Sequence, residues 1–522
     1  MTWQIAKNIR NRLAAEQCTI IKDWGGKLPV ALIYPNSYFI GMSNLGIQAI
    51  YGWLNDRSDA VCERVFWEPK DTSDVLPLAM ESQRPLTDFA VAAFSLSYEL
   101  DYFNIVPILK ASGIPVYAKD RDETYPLIIA GGPCITTNPM PLSPFFDCLC
   151  IGEAEAILPA MLPVMKDGVS ENRAELKKKL ALLPGVFVPG FSDKPVARQW
   201  AKNLDDFPVH SVVMTRDTEL GNMYLIEVER GCNWGCRFCL VSNCYRPMRF
   251  RSVDSLLNQA EAGLKYRKRL GLMGPAVTDH PQIEELTAKL HDLGAELSVS
   301  SLRIKPLSPV VLGEVIEGGT NTVALAPEAG SQRLRDIIGK RINEDDILKA
   351  VEKVAAQGIK QLKLYFMIGL PEETDADIEA IALLVTKCKD IFDKHQSWSR
   401  ITLTIAAFVP KAGTPFQREG MAAPDTLKSR LSLLKSKLPA KGISVKNESL
   451  EWSEVQAVLS RGDERLAVVL ADIEKLTLAN WHAAMQKAGL DIDSYAHEKW
   501  DLERELPGGS SGKILNPRIS KF

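Results

Sequence analysis

Two hydrophobic patterns alternate along this chain. Short unbroken apolar runs, which suit strands buried on both faces, precede segments whose apolar residues recur every three or four positions, which suits helices packed over a sheet. In the first third, Val30-Ala-Leu-Ile-Tyr-Pro35 leads into Asn44 to Trp53, Phe89 to Leu96 into Asp101 to Ala111, Pro126 to Ala130 into Gly131-Gly132-Pro133, and Phe146 to Ile151 through Gly152-Glu153 into Ala154 to Met165. This repetition predicts a doubly wound, Rossmann-like parallel sheet over residues 1–190, with its ligand edge at the carboxyl ends of the strands. Pro184 to Asn222 has no clear period and reads as a connection, with 191–220 as the linker proper. Six further runs follow: Met223–Val228, Leu270–Met273, Glu296–Leu302, Thr322–Leu325, Gln361–Met367 and Ile401–Phe408. They predict a partial (βα)6 barrel over 221–410, its functional groups standing where each run stops. Residues 411–522 carry helical spacing over Asp425–Lys437 and Trp452–Lys475, a mainly helical region ending in a flexible Leu506-Pro-Gly-Gly-Ser-Ser-Gly512 tail. The expected fold class is α/β throughout the first two regions.

The first barrel run carries the chemistry, because it leads into Glu227-Val-Glu-Arg-Gly-Cys232-Asn-Trp-Gly-Cys236-Arg-Phe-Cys239. Three thiolates in one C-x3-C-x2-C loop hold three irons of a [4Fe-4S] cluster and leave the fourth open to another ligand. A structural zinc would need four ligands, normally as two separated pairs, and the nearest further cysteine is Cys244. Composition narrows the rest. With 62 basic against 65 acidic residues and a net charge of -3, no global field points to nucleic acid or an anionic membrane. The runs Arg461-Gly-Asp-Glu-Arg465 and Lys435-Ser-Lys437 read as solvated faces, and no RNA-binding module is visible. Met1 to Val30 lacks the apolar core and cleavage site of a leader, and no apolar run reaches the roughly 18 residues of a spanning helix. Ten cysteines in 522 residues, three of them in one loop, are not a disulfide framework, so a reducing cytoplasm is expected.

The cysteine spacing, with Phe238 before the last thiol, resembles the radical S-adenosylmethionine (SAM) signature. The order of the glycine-rich strand ends before it resembles the cobalamin-binding domain of one branch of that superfamily. Further strings carry the likeness along nearly the whole chain: Tyr34-Pro35, Gly41-Met-Ser-Asn-Leu-Gly46, Asp120-Arg121, Ala130-Gly-Gly-Pro-Cys134, Arg246-Pro247, Ala326-Pro-Glu-Ala-Gly-Ser-Gln-Arg-Leu-Arg335 and Lys363-Leu-Tyr-Phe-Met-Ile-Gly-Leu-Pro371. Together they resemble an uncharacterised bacterial family of cobalamin-domain radical SAM proteins. The resemblance implies a [4Fe-4S] cluster on Cys232, Cys236 and Cys239, and SAM held by Phe238, Gly274, Pro275, Ser300, Arg303, Glu328, Ser331 and Met367, with Arg303 and Glu328 as catalytic residues. It assigns cobalamin to Ser37, Ser95, Gly131, Gly132, Pro133, Gly152 and Glu153, and it implies an electron donor of the flavodoxin or ferredoxin type.

This sequence departs from the pattern at three places. The turn at Gly274-Pro275 lacks the acidic residue usual there, and Leu240-Val-Ser-Asn-Cys244 follows the cluster loop where Gln-Ala-Gly is expected. None of the six histidines precedes His210, so cobalamin in the first domain would have no histidine ligand from it. Val409-Pro-Lys-Ala-Gly-Thr-Pro-Phe416 resembles the barrel exit of methylthiotransferases, which puts Thr414 and Phe416 on the substrate side. The expected activity is reductive cleavage of SAM to a 5′-deoxyadenosyl radical, serving cobalamin-dependent methylation of an unactivated carbon. Cobalamin-free radical modification of tRNA, rRNA or a ribosomal protein, and a non-catalytic iron-sulfur or cobalamin sensor, are the alternatives.

Overall fold

A computed structural model describes residues 2–68, 76–299, 302–395, 400–439, 441–504, 506–507 and 514–515. Leu28–Tyr34 (β1), Ala60–Phe66 (β2), Val91–Ser95 (β3), Leu127–Gly131 (β4), Cys148–Cys150 (β5) and Val186–Phe187 (β6) form one sheet in the order β2-β1-β3-β4-β5-β6. The first five strands are parallel and β6 runs antiparallel to β5. The strands with uninterrupted apolar sequence are the ones sequence reading finds. The second strand, Ala-Val-Cys-Glu-Arg-Val-Phe, escapes it because Glu63 and Arg64 break the run. Both charges are nevertheless buried: Arg64, 1% exposed, pairs with Glu16 and Glu81 at 2.7 and 2.8 Å, and Glu63 accepts from the Trp24 indole at 2.7 Å.

The six runs expected for the barrel are all strands. Tyr224–Glu227 (β7), Arg269–Met273 (β8) and Glu296–Val299 (β9) form a three-stranded parallel sheet ordered β9-β8-β7. Thr322–Glu328 (β10), Gln361–Ile368 (β11), Arg400–Ala407 (β12) and Ile443–Asn447 (β13) form a second parallel sheet in that order. The last strand is an unforeseen addition, since Ile-Ser-Val-Lys-Asn is short, polar and half-exposed. Around these sheets, amphipathic helices such as Glu344–Ala356 turn Ile347, Ala350, Val351, Val354 and Ala355 inward, and a capping box at Asn343 and Asp346 fixes where that helix starts.

The stretch expected as a linker is built into the structure. Gln199 lies across the end of β5, its N–H donating to Ile151 O at 3.0 Å and its carbonyl accepting from Glu153 N at 2.9 Å. The first region also grips the barrel exit: both Glu99 oxygens accept from Lys411 Nζ at 2.7 Å, and Asn138 Nδ2 donates to Ser460 O and Gly462 O. Arg461 is no solvated charge. It is 1% exposed, stacked 3.8 Å from the Trp500 ring centre, with its N–H groups on three backbone carbonyls. No helix among the described residues is long and apolar enough to cross a membrane.

Candidate active site

Beyond β7 the cysteine loop is held by the ends of other strands. Gly231 and Gly235 take φ values of +93° and +75°, and a Cβ on Gly231 would stand 2.4 Å from Tyr245 O, so only glycine fits there. Arg237 N donates to Ile338 O at 2.9 Å and Arg237 O accepts from Phe416 N at 3.3 Å, which pins the middle of the loop. Cys232 and Cys236 are buried and Cys239 is half-buried. Their sulfurs do not gather within 4.8 Å of one another; among the described residues only the surface group His291, Glu314 and Glu317 has its ligand atoms that close. Three thiols on one short loop match the ligand number of a [4Fe-4S] cluster with one open iron, so the donor set fits the iron-sulfur group. Without metal, burial pushes the Cys236 thiol up to about 11, opposed by Lys340.

Charged groups from three strand ends meet this loop. Arg303, after β9, places Nη2 3.1 Å from Cys232 Sγ and 3.1 Å from Asp279 Oδ2, while its guanidinium lies 4.6 Å from the Trp234 ring centre. The Trp234 indole N–H donates to the same Asp279 oxygen at 2.6 Å. Arg303 thus pairs with a carboxylate of the protein itself. Glu328 ends β10 at a register shift with φ +69°, and its Oε1 accepts from Lys340 at 3.1 Å. Ser331 is occupied as a helix cap: its hydroxyl accepts from Leu334 N at 3.2 Å and donates to Asp377 at 2.5 Å. Phe238 and Met367 pack on the buried group Ala329, Leu334, Ile338, Leu370, Phe408 and Phe416, an apolar wall beside the cysteines. Thr414 is fully buried, its hydroxyl donating to Lys411 O at 2.7 Å. Ser300 lies outside the described residues.

The missing acid of the Gly274-Pro275 turn is replaced in space. Glu229, from the start of the cysteine loop, lies so close that a Cβ on Gly274 would meet its Oε1 at 2.4 Å, and that oxygen accepts from Ala276 N at 2.6 Å. Its other oxygen is buried with no hydrogen-bond partner. Burial pushes Glu229 up to about 8 against the Ala276 N–H, with Glu227 and Asp279 adding to the rise. Nothing in the sequence marks this residue, because its partner turn lies across β8.

The sheet of the first region has its topological switch point between β1 and β3. Asn36 donates to Asp101 at 2.8 Å there and Asn44 to Ser97 at 3.2 Å; burial pushes Asp101 up to about 6 against the Asn36 contact. Ser37 caps the helix Tyr38–Met42, which exposes Phe39 and Ile40, and Tyr98 after β3 is exposed as well, each by more than 40%. Ser95 and Gly131 lie in register at the ends of β3 and β4, and Pro133 opens the helix Pro133–Thr137. Three of the residues expected at the corrin also have packing partners within the protein. Gly132 has φ +110° and its α-carbon faces Leu96 O, 2.4 Å from where a Cβ would stand. Gly152, at φ +135°, is pressed in the same way on the Gln199 backbone. Glu153 is 5% exposed and lies between domains, pairing with Arg249 at 2.6 Å and Arg230 at 2.9 Å. These glycines serve close backbone crossings, and the acid joins the cysteine loop to the first sheet.

Comparison with known proteins agrees with this arrangement. Residues 46–189 match the family described as radical SAM proteins, N-terminal, and residues 226–385 match the radical SAM superfamily. An uncharacterised protein of Methanocaldococcus jannaschii is 32% identical over 84% of this chain and 90% of its own length. An uncharacterised methyltransferase of Pyrococcus horikoshii is 26% identical over 50% of this chain and 58% of its own. Among solved structures, the cobalamin-dependent SAM radical enzyme OxsB with aqua-cobalamin bound aligns at a TM-score of 0.54 and 15% identity over 79% of this chain and 62% of that one. The radical SAM methyltransferase TsrM from Kitasatospora setae, with tryptophan substrate and a SAM analogue bound, aligns at 0.55 and 12% identity over 89% of this chain and 99% of that one. At such identities these two establish a shared fold.

Proposed function

Because this chain belongs to the radical SAM superfamily and is an enzyme of that class, we propose that it cleaves SAM reductively and uses cobalamin to methylate an unactivated carbon. The observation that carries the reading is the C-x3-C-x2-C loop, two of its thiols buried and the third half-buried, opening onto the apolar wall of a βα barrel behind a β2-β1-β3-β4-β5 sheet. When bound, a three-thiolate [4Fe-4S] cluster supplies the electron that cleaves SAM to a 5′-deoxyadenosyl radical, and methylcobalamin supplies the methyl group. The chain's part is to hold, orient and keep dry. Cys232, Cys236 and Cys239 carry the cluster. Phe238 and Met367 flank the adenine side of the SAM site, and Glu328, fixed by Lys340 and its left-handed backbone, accepts from the ribose or the amino group. The backbone at Gly274-Pro275 accepts beside Glu229, whose buried unpartnered oxygen keeps a carboxyl group at that turn. For the corrin, Ser37, Ser95, Gly131 and Pro133 remain at the strand ends, with the exposed Phe39, Ile40 and Tyr98 as its apolar bed.

Two measurements test this. Anaerobic reconstitution with iron, sulfide, SAM and a low-potential reductant is expected to yield 5′-deoxyadenosine; an intact cluster without that product would favour a sensor. Purification with hydroxocobalamin is expected to retain near-stoichiometric cobalt, with no histidine-nitrogen splitting from the first domain in the cob(II)alamin resonance spectrum. Loss of all cobalt from a SAM-cleaving enzyme would remove the methyltransferase reading and leave a cobalamin-free radical reaction.

A further inference from the structure

Arg303 stands out among the charges near the cysteine loop, because its contact is with a ligand sulfur. One nitrogen, Nη2, carries two N–H bonds, and it has two acceptors at 3.1 Å: Cys232 Sγ and Asp279 Oδ2. The arginine is clamped on a second side, its guanidinium lying on Trp234 while the Trp234 indole N–H holds the same Asp279 oxygen. Arg303 and Asp279 are both largely buried, with side chains 17% and 15% exposed, so water screens the pair weakly. Trp234 lies inside the C-x3-C segment itself, so the clamp moves with the cysteines.

We propose that the Arg303–Asp279–Trp234 clamp sets the reduction potential of the cluster through a charged N–H···S bond to Cys232. This rests on the cluster reading above and goes further, by assigning residues that bear on the electron step. Reduction adds one electron to the cluster from an external low-potential donor of the flavodoxin or ferredoxin class; no bond is made or broken in the protein. A cation donating to a ligand sulfur stabilises the more negative, reduced state and raises the potential. Asp279 acts with the opposite sign. Its carboxylate holds the arginine in place and offsets part of that positive charge, leaving the cluster reducible only at a potential between the two extremes. Arg303 and Asp279 are in this sense positioning and tuning residues, and the two signs make the idea testable without substrate.

The experiment is a dye-mediated redox titration of the reconstituted full-length enzyme, free of SAM, followed by the reduced-cluster resonance signal, on wild type, Arg303→Gln, Arg303→Lys and Asp279→Asn, each with its iron and sulfide content measured. The expected order of midpoints is Arg303→Gln lowest, wild type between, Asp279→Asn highest, with Arg303→Lys closer to wild type than Arg303→Gln because the charge is kept. Equal midpoints across fully loaded variants would overturn the proposal. So would a shift that appears only after SAM is added, which would make Arg303 a ligand of the SAM carboxylate. If Arg303→Gln fails to hold iron, Arg303→Lys and Asp279→Asn decide the matter by the sign of their separation from wild type. A wild-type protein that takes up no iron would instead sink the cluster reading itself.

Discussion

The two ligand edges of this protein are built in opposite ways. At the barrel mouth, groups from separate strand ends converge on one short loop: Arg303 after β9, Glu328 at the end of β10, Phe416 after β12, and Glu229 beside the cysteines. At the edge of the first sheet, the motif residues that attract attention in sequence are consumed by the fold, Gly132 and Gly152 in backbone crossings and Glu153 in ion pairs. A cluster loop must offer unspent ligands, so its neighbours hold it from behind. An open cofactor crevice is shaped by backbone, and there a glycine more often marks where two chains pass than where a ligand rests.

The comparison can be broken most severely at the barrel. Replacing Cys232, Cys236 or Cys239 by Ala is expected to abolish nearly all cluster absorbance and iron after reconstitution, while Cys244→Ala keeps both; equal iron loss from Cys244→Ala would make it a ligand. At the joint between the regions, Glu153→Gln would leave Arg249 without its carboxylate, while Arg230 keeps Glu155 and Glu227, and cost about 3–5 kcal/mol in urea unfolding. Burial alone would push Glu153 up, but Arg249 and Arg230 outweigh it and hold it below the usual carboxylate range. Its contribution is therefore complete above that range and disappears as the pH falls through it, so the variant and wild type should converge in acid.

Within the first sheet, Gly132→Ala forces a Cβ toward Leu96 O at φ +110° and should lose about 1–3 kcal/mol or more, whereas Gly131→Ala meets only Cys150 Cβ at 3.5 Å and should be near neutral. Comparable losses from both would mean that crowding is not what distinguishes them. The smallest effect is a slope. Glu229 titrates near 8 when folded, so the native state binds an extra proton between the ordinary carboxylate range and that value. Its stability contribution is present at low pH, falls by at most about 1.4 kcal/mol per unit as the pH rises toward 8, and then levels. Glu229→Gln should flatten this stretch of the metal-free protein's stability–pH curve, and an unchanged curve would place the proton elsewhere.

What the sequence by itself determined is local and periodic. Apolar runs such as Val-Ala-Leu-Ile bury on both faces wherever they fall, so the first sheet's main strands and all six barrel runs were legible, and three thiols within eight residues needed no other part of the chain. The tertiary structure decided what depends on distant partners. Whether Glu63 and Arg64 can sit inside a strand depends on Trp24, Glu16 and Glu81 being there to receive them. Arg461 reads as a surface charge until Trp500 and three carbonyls enclose it. Arg303 meets Cys232 across 71 residues and Glu153 meets Arg249 across 96. A buried charge is tolerable only where the fold brings its counter-charge, and single-chain patterning carries no record of that meeting, because the pairing energy lies between segments.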